Sequence, residues 1–276
     1  MILTLDVGNS QIYGAVYDED RPRFQFRKST HHGNSSDEIG LFLRAVLREQ
    51  GIEVTDITQA AFCSVVPDMN HSIGSAILKY FSLMPFQLKA GVKTGLKIKY
   101  RNPVEVGADR IANAIGAIAR YPNKNLIIVD TGTATTFCAI SKDRDYLGGL
   151  IIPGLRLAME ALEQKTAQLP KVPIVQCEEI IGRSTIESIQ SGLYFSHLTS
   201  ISGISAKIKK SVFKDQDTMI IGTGGVSRIF ESEGVFDELI PDLVHSGLFL
   251  ALQMNVPLAD ENPRSRNKNE NSANTP

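Results

Sequence analysis

ILTLDVGNS (2–10) and LIIVDTGTA (126–134) decide the architecture, because the second repeats the first. Each is an apolar strand closed by an aspartate, with a glycine two residues on and a hydroxyl or amide side chain after it. The likeness extends outward. QIYGAVYDED and RFQFRKS follow the first copy, and TTFCAISKD and YLGGLII follow the second. Each copy therefore predicts a meander of three strands joined by tight turns. Asp6 and Asp130 lie almost half a chain apart, a period too long for a solenoid and suited to a duplicated domain.

Helix and strand alternate after each meander. Ser35 to Gln50 carries Ile39, Phe42, Leu43, Val46 and Leu47 on one face, with Ser35 and Glu38 at capping-box spacing and Gly51 as a stop. AAFCSVVP (60–67) predicts a buried strand, followed by a helix near 71–83. Residues 108–120 predict a helix with Ile111, Ile115 and Ile118 inward. Ser184 and Glu187 again have capping-box spacing, before a helix carrying Ile189, Leu193 and Leu198, and TMIIGTGG (218–225) predicts a strand ending in glycines. LKIKYR (96–101) alternates and predicts a strand whose lysines guard an edge. The sum is an α/β chain with mixed sheets.

Composition narrows the function classes. With 276 residues, 42% hydrophobic and 21% charged, the chain is an ordinary globular one with ample core-forming surface. A formal net charge of −1 gives no global field toward nucleic acid or an anionic membrane, so anionic substrates need local groups. Cys63, Cys138 and Cys177 are far apart with no CxxC pair, which predicts no disulfide framework and no zinc site, and suits a reduced, cytoplasmic setting. MILTLDVGNS does not have the form of a signal peptide, and no apolar run reaches the length of a membrane span. The stretch after about 258 holds almost nothing that forms a core and is expected to be a disordered tail, 259–276.

Loops that handle phosphate need backbone N–H groups around a concavity, and DVGNS (6–10) and DTGTA (130–134) both offer them beside a carboxylate. Facing one another, they would cradle a polyphosphate and its metal ion; taken singly, each also reads as a hairpin turn. There is no Walker A sequence, which excludes a P-loop kinase. GTGG (222–225) is an imperfect dinucleotide fingerprint and fits an adenosine contact or a plain turn equally well. DTGT matches an aspartic-protease loop, but its counterpart here is DVGN and the flanking segments are helical. GADR (107–110) opens a helix, where Asp109 serves either the helix dipole or a substrate hydroxyl, and Arg110 has the shape to clamp a carboxylate or phosphate. The five histidines fall in no triad or ligand spacing.

In order along the chain, DVGNS (6–10), SVVP (64–67), GADR (107–110), DTGTA (130–134), GG (148–149), PG (153–154) and TGG (223–225) resemble the type III pantothenate kinases over about residues 1–257. The resemblance implies a duplicated ribonuclease H-like (actin-like) fold, with two lobes of mixed five-stranded sheets and flanking helices, 1–121 and 122–258. It implies a homodimer that phosphorylates pantothenate to 4'-phosphopantothenate with ATP, the first step of coenzyme A biosynthesis, using Mg²⁺ and K⁺ or NH₄⁺. By matched position, Asp6, Val7, Gly8, Asn9, Ser10, Gln11, Ile12, Tyr13 and Thr133 would bind ATP, with Asp6 at the metal. Asp109 would take the hydroxyl proton, while Tyr100, Gly107, Ala108, Asp109, Arg110 and Thr185 would surround pantothenate. Asp130 would help hold the monovalent cation. Ser10 departs from the more frequent threonine and keeps the hydroxyl. The resemblance raises a second role, that of a Bvg accessory factor acting in regulation without kinase activity. No basic stripe or helix-turn-helix supports a nucleic-acid reader, and the intact aspartate loops and GADR favour an enzyme.

Overall fold

The computed structural model describes residues 1–256, and the predicted disordered tail lies outside them. The first meander is β1 (Ile2–Val7), β2 (Gln11–Asp18) and β3 (Arg21–Ser29), and it is followed by α1 (Ser36–Glu49), β4 (Gln59–Ser64), α2 (Pro67–Phe81) and β5 (Phe86–Gln87). Next come β6 (Lys97–Ile98) and α3 (Ala108–Arg120). The second meander is β7 (Asn125–Thr131), β8 (Ala134–Ile140) and β9 (Asp145–Pro153), followed by α4 (Leu155–Lys165), α5 (Thr185–Ser211), β10 (Thr218–Thr223), β11 (Glu238–Leu239) and α6 (Leu243–Asn255).

The duplication is real in space. One sheet has the order β3-β2-β1-β4-β5 and the other β11-β10-β7-β8-β9-β6, so β9-β8-β7-β10-β11 reproduces the first order strand for strand. Both meanders are antiparallel, and the later strands join in parallel. The second sheet has six strands where five were expected, because β6 pairs in parallel with β9 at its rim. LKIKYR thus supplies an edge, as its lysines predict, but only two of its residues enter the ladder.

Strand parity sets which way each aspartate points. In β1, Leu3, Leu5 and Val7 enter a core with α1 and α2, so Ile2, Thr4 and Asp6 project to the opposite face. In β7, Ile127 and Val129 enter a core with α4 and α5, so Leu126, Ile128 and Asp130 project the other way. Between those inner faces lies a layer of two helices, α3 and α6, whose residues share one core with both sheets. The layers therefore run helix, sheet, helix, sheet, helix. The helices of the middle layer approach backbone to backbone: a Cβ on Gly247 would overlap the Ala112 carbonyl, and one on Gly116 would stand 2.8 Å from the Leu243 carbonyl.

Local signals explain several element ends. The Ser35 hydroxyl and the Glu38 carboxylate cap α1 reciprocally, as a capping box should. Ser184 caps α5 through the Glu187 N–H, whereas Glu187 reaches past it to the Arg183 N–H at 2.7 Å. β4 stops three residues before Pro67, because the Ser64 hydroxyl takes the Val66 N–H, and α2 starts there rather than near 71. α6 carries no amphipathic signature because it is buried nearly all round, which is why periodicity gives no sign of it.

Candidate active site

β1 and β7 end at the mouth of the cleft between the sheets, the crevice outside parallel strand ends where open α/β sheets place ligands. The turns that follow them meet there. Ser10 Oγ and Thr133 Oγ1 lie 2.8 Å apart, a hydrogen bond that joins DVGNS to DTGTA across the cleft. Both residues are exposed, so these hydroxyls are free to exchange each other for a ligand oxygen. The TGG turn after β10 closes on the second loop, with the Thr131 hydroxyl donating to the Thr223 carbonyl at 3.2 Å and the Val226 N–H to the Thr131 carbonyl at 3.3 Å. Gly224 sits at φ 93°, and a Cβ there would stand 2.7 Å from the Thr131 nitrogen and run into the Asp130 carboxylate.

Three carboxylates share this space. Asp109 lies in the first turn of α3 and accepts the Arg110 N–H at 2.8 Å. Asp6 accepts the Cys63 thiol at 3.3 Å, from the residue paired with it across β4. Asp130 accepts the Asn113 amide at 2.9 Å, one helical turn beyond Asp109 on α3. Each is half-buried at the cleft floor. Burial pushes Asp6 up to about 7, and the charges of Asp109 and Asp130 add to the shift. Burial, then Asp109, pushes Asp130 up to about 6. Asp109 is raised by burial and partly offset by its hydrogen bond from Arg110. The Cys63 thiol is held protonated, chiefly by burial and then by Asp6, which keeps it a donor.

Such a cluster attracts cations. No group of three or more His, Cys, Asp or Glu side chains among the described residues forms a complete metal cage. Asp6 and Asp130 nevertheless offer hard carboxylate oxygens, the donors of which Mg²⁺ takes one or two together with substrate phosphates.

Not every expected residue faces the cleft. Val7 and Ile12 belong to the outer core, and Tyr13 is buried with its ring edge-on to His245 (4.3 Å between centroids) and under the Arg27 guanidinium at 3.6 Å. Gly8, Asn9, Ser10 and Gln11 remain accessible. Gly107 and Ala108 lead into Asp109 and Arg110 at the start of α3. Tyr100 lies against Gly148, 3.6 Å from where a Cβ would be, and its ring centre is 6.5 Å from that of Tyr146. Thr185 lines a groove of about 1120 Å³ between α4 and α5, which includes none of the three carboxylates. Sequence reasoning passed over Cys63 and Asn113. Asn113 had a readable signal, a polar side chain four residues after Asp109 in an otherwise apolar run. His197 and His245 are buried and bonded to Thr135 and Thr4, so they are structural.

A family model described as type III pantothenate kinase matches residues 2–207. A type III pantothenate kinase from Legionella pneumophila (strain Paris) is 53% identical over 256 residues, 93% of this chain and 100% of that one. The chain belongs to the type III pantothenate kinase family. Another member of the family, from Elusimicrobium minutum, is 46% identical over 255 residues, covering 92% of this chain and 99% of its own. The fold is also that of a protein assigned as a 2-dehydro-3-deoxygalactonokinase from Sinorhizobium meliloti, with a TM-score of 0.58 at 12% identity over 94% and 98% of the two chains. Family and fold agree with the actin-like duplication in the two sheets.

Proposed function

We propose that this chain transfers the γ-phosphoryl group of ATP to the primary hydroxyl of pantothenate, giving 4'-phosphopantothenate, the first step of coenzyme A biosynthesis. The observation that carries this reading is the meeting of Asp6, Asp109 and Asp130 beneath two joined glycine turns. Phosphoryl transfer asks mainly for positioning and charge neutralisation, and this cleft is equipped for both. Bound Mg²⁺, beside Asp6, would neutralise charge on the phosphates, and K⁺ or NH₄⁺ beside Asp130 would do so on the other wall. Ser10 and Thr133 turn their hydroxyls from each other to phosphate oxygens. Asp109 orients the attacking hydroxyl and accepts its proton, a task its raised pKa suits. Arg110, buried beside Tyr100, holds the pantothenate carboxylate. Converged carboxylates of this kind favour an enzyme over a purely regulatory accessory factor.

The proposed lobes, 1–121 and 122–258, close over the substrates, and α6 ties them together by packing on β1 and β4 of the first sheet. The surface supports the proposed homodimer. Ile151 on β9, Ile181 before α5 and Ile186 on α5 are 62%, 73% and 50% exposed, beside the α4–α5 groove. An apolar face of this kind calls for a cover, and a second copy is the proposed one. It would lie along β9, whose glycines flank Tyr100 and Arg110, and would place Thr185 at the seam. No described helix is long and apolar enough to cross a membrane, and the free thiols fit the cytoplasm. Purified protein with ATP, Mg²⁺, K⁺ and pantothenate should yield phosphopantothenate and ADP in equal amounts. No product under those conditions would overturn the proposal.

A further inference from the structure

Arg110 is a buried cation with no ion pair, although Asp109 and Asp130 lie near enough to feel its charge. It is 6% exposed, and none of the ion pairs among the described residues includes it. Its Nε–H donates instead to the Cys138 sulfur at 3.2 Å. Tyr146, fully buried, donates its hydroxyl to the same sulfur at 3.3 Å, and its ring centre lies 5.9 Å from the guanidinium carbon. One end of the fork, Nη2, has no partner. Gly149 keeps the space beside it open, since a Cβ at that position would stand 2.7 Å from Nη2 and overlap the Phe137 carbonyl.

A buried guanidinium with a free N–H group is costly unless an anion completes it. A carboxylate at position 138 would bind the fork and also cancel its charge before substrate arrives. A protonated thiol is a weak, neutral acceptor, so it fixes the direction of the fork and leaves the charge for the ligand. Burial keeps that thiol protonated. We propose that Cys138 is a positioning residue which, together with Tyr146, aims Nη2 of Arg110 at the carboxylate of the acceptor substrate and so sets the preference for an acidic over a neutral acceptor. The inference rests on pantothenate being that substrate and on the Arg110 role given above.

The test compares pantothenate with its neutral analogue, in which the carboxylate is reduced to a primary alcohol. Cys138→Ala should raise KM for pantothenate about tenfold, the scale of one hydrogen bond to a charged group. KM for ATP and kcat/KM for the neutral analogue should stay within about twofold, since neither uses the fork. Cys138→Ser, which restores an acceptor, should recover most of the selectivity. Tyr146→Phe removes the other donor to the sulfur and should shift the same ratio, which keeps the test decisive if the alanine variant does not fold. An unchanged ratio of the two acceptors in both Cys138→Ala and Tyr146→Phe would overturn the inference alone. Failure of the wild-type protein to phosphorylate pantothenate would overturn it together with the function on which it rests.

Discussion

Replacing Asp109 by asparagine tests the site from two sides at once. The change keeps the shape and removes one negative charge from a cleft floor where Asp6 and Asp130 both register it. On the catalytic side, loss of a positioned proton acceptor costs about 10² to 10⁴ in rate, or ~2.7 to 5.4 kcal/mol of barrier. On the electrostatic side, Asp109 is the leading charged cause of the raised pKa of both partners, so both should become more acidic in the variant. Divalent-cation binding by the nucleotide-free protein should then begin at lower pH than in the wild type. Steady-state ADP release measures the first effect, and Mg²⁺ titration calorimetry across pH 5–8 measures the second. A kcat within about threefold of wild type would remove Asp109 from the proton-transfer role. An unmoved pH onset would mean that the three carboxylates do not share a field, which would defeat the reasoning even if the rate fell.

Three further outcomes follow from the same geometry. In the wild type, Asp6 at about 7 and Asp130 at about 6 bind protons in the folded state that they lack when unfolded, so they reduce stability as pH rises from about 4 to 7. Metal must displace those protons, so Mg²⁺ affinity and its stabilising effect on Tm should grow from pH 5 to 7 and level off above, and a flat profile would count against the assignment. Gly224→Ala forces a left-handed residue against Asp130 and should cost the loop ~2 to 5 kcal/mol. ATP binding should collapse with it, as isothermal titration would show, and normal affinity would mean that the turn is not part of the cradle. Ile181→Glu places a charge on the exposed apolar face, so light scattering should find a mass near the 30.2 kDa of one chain where the wild type shows twice that, and a monomeric wild type would sink the dimer.

Local chemistry made much of this molecule legible. The repeat of strand, aspartate, glycine and hydroxyl marked the duplication, and residues 108–120 were readable to the end because apolar spacing and a GADR start agree. Other elements were missed, although α4 (LRLAMEALEQK) does carry the helix formers and apolar spacing of an amphipathic helix. α4 and α6 went unread, α6 because a helix buried between two sheets shows no polar face. Cys138 looked like an ordinary core residue within TTFCAISKD, and only its meeting with Arg110, 28 residues away, gives it a role.

What the sequence determined by itself is the set of parts and their parity: period-two alternation sends Asp6 and Asp130 to the faces opposite Leu5 and Val129, whatever those faces meet. Only the tertiary structure decided that the two faces oppose one another across α3 and α6, bringing the Ser10 and Thr133 hydroxyls to 2.8 Å and three acids into one field. The reason is physical. Side-chain direction follows from neighbours one or two residues away, whereas the distance between two strand ends depends on how whole layers pack, and that packing is set by contacts between residues far apart in the chain.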